Sequence, residues 1–238
     1  MNHMLKSVSV SVAALLCAGV VSSAMAMDGV TFSGDVHSQT SYQFRGEQFS
    51  DGSPSLGVKA HAAHVSGLYG QANLDTIKLV NGKNHFQGAL TGGYATSLHG
   101  IKVKAGLSRH LFLGGDGVSE ASFTEAFAAG EHQGLQAKVS TVVDRAKMDY
   151  PGFQQGDVYG ELGYTHQVGK YSIGGDVGYR WLDSGLAKDG LALAQVRVGY
   201  KIDDKADLVL THQFAGDDIT GETATGTHKT AVAVSYKF

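Results

Sequence analysis

The sequence has little proline, almost no cysteine, no long apolar run beyond its N-terminus and no surplus of positive charge. Only two prolines stand among 238 residues, Pro54 and Pro151. The single cysteine, Cys17, lies in a segment expected to be removed. The remaining chain therefore has no disulfide, no cysteine-based metal centre and no thiol nucleophile. Nineteen basic residues, Lys6 among them, face 22 acidic ones, for a formal net charge of −3. That balance argues against nucleic acid as a partner. No later stretch approaches the roughly 18 consecutive apolar residues of a transmembrane helix. A membrane crossing would have to be made by strands.

The N-terminus carries a targeting pattern. Lys6 supplies a positive start, Val8 to Val21 is apolar and uncharged, and Ala24-Met25-Ala26 fits a small-x-small cleavage site. About 14 apolar residues are too few to span a bilayer as a helix, so residues 1–26 read as a cleaved Sec signal peptide. A lipoprotein signal would need a small residue before Cys17, and Leu16 stands there. Residues 27–238 then form one domain. Glycine is abundant: 33 residues, about twice the usual share of roughly 7%. It comes with 42% hydrophobic residues, ten Tyr and ten Phe, a mixture foreign to disordered chains.

Period-two alternation dominates that domain, and this is the mark of strands. Val232, Val234, Tyr236 and Phe238 fall on one face of the last segment, and Lys229, Ala231, Ala233, Ser235 and Lys237 on the other. Twelve such segments are expected, at approximately 30–43, 55–65, 68–78, 85–97, 101–113, 119–130, 135–147, 157–168, 171–182, 191–202, 206–215 and 228–238. Short connections alternate with long ones, and both prolines fall in loops or at a strand start. The pattern predicts an all-β fold: a twelve-stranded antiparallel transmembrane β-barrel of a Gram-negative outer membrane, with short periplasmic turns and longer extracellular loops. Lipid offers no hydrogen-bond partner, so strands crossing it must close into a ring. A β-sandwich also alternates, but its strands usually run to only about 5–6 residues. Aromatic residues gather toward the strand ends: Tyr42, Phe44, Phe86, Phe112, Tyr179, Trp181 and Phe214 toward the outer loops, and Phe32, Tyr171, Tyr200, Tyr236 and Phe238 toward the inner turns. These are expected to form two lipid-interface belts.

Two stretches resemble known families. The run Thr230 to Phe238, with Val232, Val234, Tyr236 and Phe238 in phase, resembles the C-terminal insertion signal of outer-membrane proteins. The resemblance implies recognition by the barrel assembly machinery. Ser41-Tyr42-Gln43-Phe44-Arg45-Gly46, then Asp51-Gly52-Ser53-Pro54, then Ser66-Gly67-Leu68-Tyr69, resembles the opening of the TorF-type porin family over roughly residues 30–75. That resemblance implies a porin-like role and no particular solute.

With the aromatic face assigned to lipid, the other face lines the lumen. Candidate pore-lining residues are Lys59, His61, Lys102, Lys104, Lys138, Asp144, Glu161, Asp176, Arg180, Arg197 and Lys201. Such charges commonly pair across neighbouring strands. Strands about 4.8 Å apart and tilted about 40° give twelve of them a backbone radius near ~12 Å, and inward side chains remove roughly half of that. The expected function is passive diffusion of small polar solutes or ions, with a slight anion preference. The alternative is a non-conducting structural or adhesive barrel whose outer loops bind a partner. The expected partners are outer-membrane lipid, the assembly machinery and small solutes, and an oligomer is left open. No cofactor, metal site or enzymatic activity is expected. His64-Val65-Ser66 has the His-x-Ser spacing of barrel phospholipases, but Ser66 falls in a turn and no orienting carboxamide or carboxylate is evident. Asp217, Asp218 and Glu222 read as a solvated acidic loop. Arg109 and Glu125 break the alternation on the lipid face, and are expected to pair across a hairpin centred on Gly117 or to be turned inward by a bulge.

Overall fold

A computed structural model describes residues 28–50, 53–78, 84–114, 117–215 and 228–238. The expected signal segment 1–26, Asp51, and the acidic residues Asp217, Asp218 and Glu222 lie outside the described residues. Twelve strands close into one antiparallel barrel: β1 (Val30–Gln39), β4 (Ser55–His64), β5 (Leu68–Lys78), β6 (Asn84–Leu98), β7 (Ile101–Leu113), β8 (Phe123–His132), β9 (Leu135–Asp144), β10 (Val158–Val168), β11 (Tyr171–Trp181), β12 (Gly190–Lys201), β13 (Ala206–Ala215) and β14 (His228–Lys237). Each of the twelve expected segments is a barrel strand. The differences are local: Val118–Ala121 forms a 3-10 turn rather than the start of β8, and β9 ends at Asp144.

Alternation decides which way each strand lies. On β11, Ile173, Val177, Tyr179 and Trp181 point out and are exposed, while Asp176 and Arg180 point in and are buried. An apolar outside and a polar inside invert the usual soluble arrangement and suit a lipid surround. The seam joins β1 to β14, with Asp35 opposite Lys237 and Val36 opposite Tyr236. Phe238 completes it, because its N–H donates to the Gly34 carbonyl at 3.0 Å and its carbonyl accepts from the Gly34 N–H at 3.2 Å.

The connections separate two rims. Turns such as His99-Gly100 and Gln133-Gly134, with φ of 50° and 81° and of 48° and 86°, define a turn rim. Paired positive φ values are those of the type I′ hairpin, whose twist matches the strands it joins. The opposite, loop rim holds the longer connections. One of these departs from expectation. Residues 40–54 contain a second, miniature hairpin, β2 (Gln43–Phe44) and β3 (Glu47–Gln48), which is separate from the barrel sheet. Its tip, Arg45-Gly46, again has two positive φ values, 52° and 90°.

Candidate functional site in the barrel lumen

The β2–β3 hairpin folds down into the barrel. Tyr42 OH donates to Gln87 Oε1 on β6, Arg45 reaches Glu125 on β8, and Glu47 accepts from Arg180 Nη1 on β11 at 2.5 Å. Gln213 Nε2 on β13 donates to the Gly46 carbonyl at 2.6 Å. The tip thus hangs from strands on several sides of the ring. Only glycine fits at position 46, because a Cβ there would overlap the Ala192 carbonyl and the backbone is left-handed.

The connection between β9 and β10 folds in beside the hairpin. Its Phe153 stacks on Phe123 with ring centroids 4.4 Å apart, and Phe123 stacks on His110 at 4.6 Å. Tyr150 closes the column on Phe153 at 4.8 Å, and its hydroxyl donates to Glu47. Tyr42, Phe49 and Phe112 pack against the same cluster. Asp157 fixes the connection by accepting from the N–H groups of Gly152 at 2.9 Å and Gln154 at 3.2 Å. Burial pushes the Tyr42 and Tyr150 phenols up from their ordinary range, and the Glu47 carboxylate adds to the effect on Tyr150. The loop-rim half of the lumen is consequently packed. On adjacent strands from β6 to β13 the inward residues Gln87, Phe112, Glu125, Val142, Tyr159, Arg180, Leu193 and Gln213 are all buried.

The charges inside this plug are compensated. Glu125, 1% exposed, meets Arg45, Lys138 at 3.2 Å and His110 at 3.2 Å. Arg45 also donates to Ser140 Oγ at 3.1 Å and lies 4.5 Å above the Tyr159 ring. A buried carboxylate needs such partners, since desolvation alone would make its charge untenable.

The turn-rim half is open. Lys102, Lys104, Glu131, Gln136, Lys138 and Glu161 border a cavity of about 500 Å³ there. Lys102 pairs with Glu131 at 3.4 Å, and the side chains remain well exposed. Farther round the ring, Arg197 pairs with Asp176 at 2.9 Å, Lys201 with Asp204 at 2.9 Å, and Lys237 with Asp207. His37 sits between Asp35 at 2.9 Å and Asp75 at 2.8 Å. Among the described residues, no group of three His, Cys, Asp or Glu side chains is placed to hold a metal ion.

The sequence-derived residues fall into three groups. Lys59, His61, Lys102, Lys104, Lys138, Glu161, Asp176, Arg197 and Lys201 all point inward by register, with His61 stacked on Tyr69 at 5.9 Å. Arg180 also points inward, but it is buried in the plug rather than facing an open pore. Asp144 is corrected: a bulge shifts the β8–β9 register after Glu125, so Asp144 lies opposite Thr124 on the outer face. There it meets Arg109 at 2.6 Å. The Arg109–Glu125 pairing does not form, because Arg109 is opposite Thr124 and Glu125 is opposite Ser108. Glu125 is turned inward. That expectation takes the face of β8 that carries Glu125 as the lipid face, whereas this face, with Phe123 and Phe127, looks into the lumen, where Phe123 packs in the plug. The outer aromatic belt is corrected in the same way. Tyr42, Phe44 and Phe112 belong to the plug cluster, while Phe86, Tyr179, Trp181 and Phe214 do point outward.

Tyr42, Phe44, Arg45 and Gly46 form the plug hairpin, and Pro54 stands at the entry to β4. Gly67, φ 96°, makes the turn before β5, and Tyr69 points inward from that strand. Val232, Val234 and Tyr236 point outward on β14. Sequence reasoning missed the hairpin and with it Glu47, Ser140, Phe153 and Gln213. Arg-Gly flanked by Phe and Glu was the available signal, since X-Gly is the common type I′ pair. His64 Nδ1 and Ser66 Oγ do lie 2.7 Å apart at the turn rim, but Ser66 N–H also meets Nδ1 at 3.2 Å, a local turn contact. Among the described residues, no side chain hydrogen-bonds the other nitrogen of that ring.

Solved structures share the architecture. A KdgM porin in complex with disordered oligogalacturonate superposes with a TM-score of 0.53 at 12% identity, over 87% of this chain and 99% of that one. Outer membrane phospholipase A from Escherichia coli gives 0.51 at 13% identity, over 86% and 92%. The barrel fold is therefore that of bacterial outer-membrane proteins. No curated protein matches the sequence. Residues 23–238 match the family described as "Bacterial protein of unknown function (Gcw_chp)". The chain belongs to the Gcw_chp family.

Proposed function

We propose that this protein is a porin-like channel of the bacterial outer membrane, giving passive passage to small polar solutes or ions, with its first loop as the constriction. One observation carries the reading: a closed barrel with an apolar outside encloses a turn-rim half whose charged side chains face a cavity of about 500 Å³. A barrel built only as a scaffold has no need to keep lysines and carboxylates hydrated along its axis. The resemblance of the hairpin stretch to TorF-type porins supports the same role. On this reading residues 1–26 direct Sec export, the β14 strand with Phe238 addresses the assembly machinery, the turn rim faces the periplasm, and the barrel sits in outer-membrane lipid without enzymatic activity. The packed loop-rim half favours a second reading, a non-conducting barrel whose outer loops bind a partner. Planar-bilayer recording of the refolded protein separates the two. Discrete small conductance steps are expected, and a folded protein that never conducts would leave the second reading.

A further inference from the structure

The open half of the lumen is not electrically neutral. Three lysines border it, Lys102 and Lys104 on β7 and Lys138 on β9, against the carboxylates Glu131 and Glu161; Lys59 on β4 points inward farther round the ring, opposite Asp35. Lys102 is matched by Glu131, and Lys138 shares Glu125 with Arg45. Lys104 and Lys59 have no carboxylate within salt-bridge distance among the described residues. Lys104 and Lys138 stand on either side of Ala129 and border the same cavity. Like charges held together in a folded interior are unfavourable without a counter-charge. Nothing in the packing forces the arrangement, because the inward positions on β8 beside Lys104 include Ala129, opposite both Lys104 and Lys138. A glutamate in that place would neutralise the cluster.

The plug closes this chamber on one side. Above the lysines stands the Arg45–Glu125–Lys138 network, so a solute entering from the turn rim meets the lysines before the obstruction. Lys102, Lys104 and Lys138 all border the cavity of about 500 Å³, a volume suited to a small molecule rather than a polymer segment. The ammonium groups are point charges on flexible stems, able to gather round an oxyanion without a fixed fork geometry.

We propose that the turn-rim chamber is a binding site for small polyvalent oxyanions, carboxylate or phosphate in kind, held by Lys104 and Lys138. The site rests on the hydrated lumen of the channel reading and names the solute class that lumen favours. It does not require that ions pass the plug.

The test is equilibrium binding to the refolded full barrel in zwitterionic micelles, followed by isothermal titration calorimetry. Citrate and inorganic pyrophosphate are the probes, with sucrose and spermidine as neutral and cationic controls. Saturable one-to-one binding of citrate, pyrophosphate or both is expected, weakening steeply with added salt. Lys104→Gln should lower affinity about fivefold or more. Lys102→Gln, whose charge is already matched, should change it less. Circular dichroism confirms that the variants remain barrels. Absence of binding by both anions, equal binding of sucrose, or unchanged affinity in Lys104→Gln overturns the site. A barrel that binds citrate but never conducts would retain the site and remove the channel reading; one that conducts without binding would do the reverse.

Discussion

Arg45→Ala should release the hairpin without unfolding the barrel. Arg45 is the main partner of Glu125, which is 1% exposed and set in the barrel wall. Removing one partner of a buried ion pair typically costs about 3–5 kcal/mol, because the other charge is left uncompensated. Lys138 stays 3.2 Å from the second carboxylate oxygen, which places the effect at the lower end, about 3 kcal/mol. Loss of the contact over the Tyr159 ring adds about 0.5–1 kcal/mol. The strand ladders are untouched, so the penalty falls on the seated hairpin and is relieved when the hairpin leaves and water reaches Glu125. Three kcal/mol moves the ratio of released to seated hairpin by roughly a hundredfold. Hydrogen exchange of the Tyr42–Phe49 amides reads this directly. Those amides should exchange far faster in the variant while the β7 and β8 amides keep their protection. Arg45→Lys, which keeps the charge and loses the fork, should fall between the two. Unchanged exchange in Arg45→Ala would refute the idea that this pair holds the plug.

Other outcomes follow from the same geometry. Gly46→Ala should unseat the hairpin at least as strongly, since the clash with the Ala192 carbonyl and the positive φ act together; protection of residues 41–49 equal to wild type would contradict this. Burial holds the Tyr42 and Tyr150 phenols neutral, so the stability they lend is complete below about pH 10 and is lost as the pH rises beyond it. Absorbance titration should therefore show the same ionising amplitude up to about pH 11 in Tyr42→Phe, Tyr150→Phe and wild type; a reduced amplitude in either variant would show an accessible phenol. On the outer face, Asp144→Leu leaves the Arg109 charge without its partner, whereas Arg109→Leu with Asp144→Leu removes the pair. The double variant should unfold at higher denaturant concentration than the single one, and the opposite order would place this pair in water rather than against lipid.

The barrel was legible because its rule is simple. Period-two alternation along Tyr171–Trp181 or His228–Lys237 says which residues face lipid, and alternating long and short connections say how the strands return. The plug was not legible, because the same rule misled there. Phe112 and Phe123 are apolar residues on the inward face, and alternation alone cannot distinguish lipid from an aromatic cluster brought in by a distant loop. Glu125 looked misplaced for the same reason: its partner Arg45 is 80 residues away in sequence, on a segment that reads as a surface loop. The bulge that sends Asp144 outward likewise has no periodic signature. The inward lysines, by contrast, followed strand phase and stand where alternation puts them.

On the channel reading, the chain's own first loop narrows the lumen. Planar-bilayer recording of wild type beside a variant lacking residues 43–48 tests this. The variant keeps the barrel strands, their turns and the inward β9–β10 connection, and the anchors Glu125, Arg180 and Gln213 are left facing the space the hairpin vacates. Small or infrequent conductance steps are expected in wild type, and larger, persistent ones in the variant. Equal conductance from the two folded proteins would contradict it.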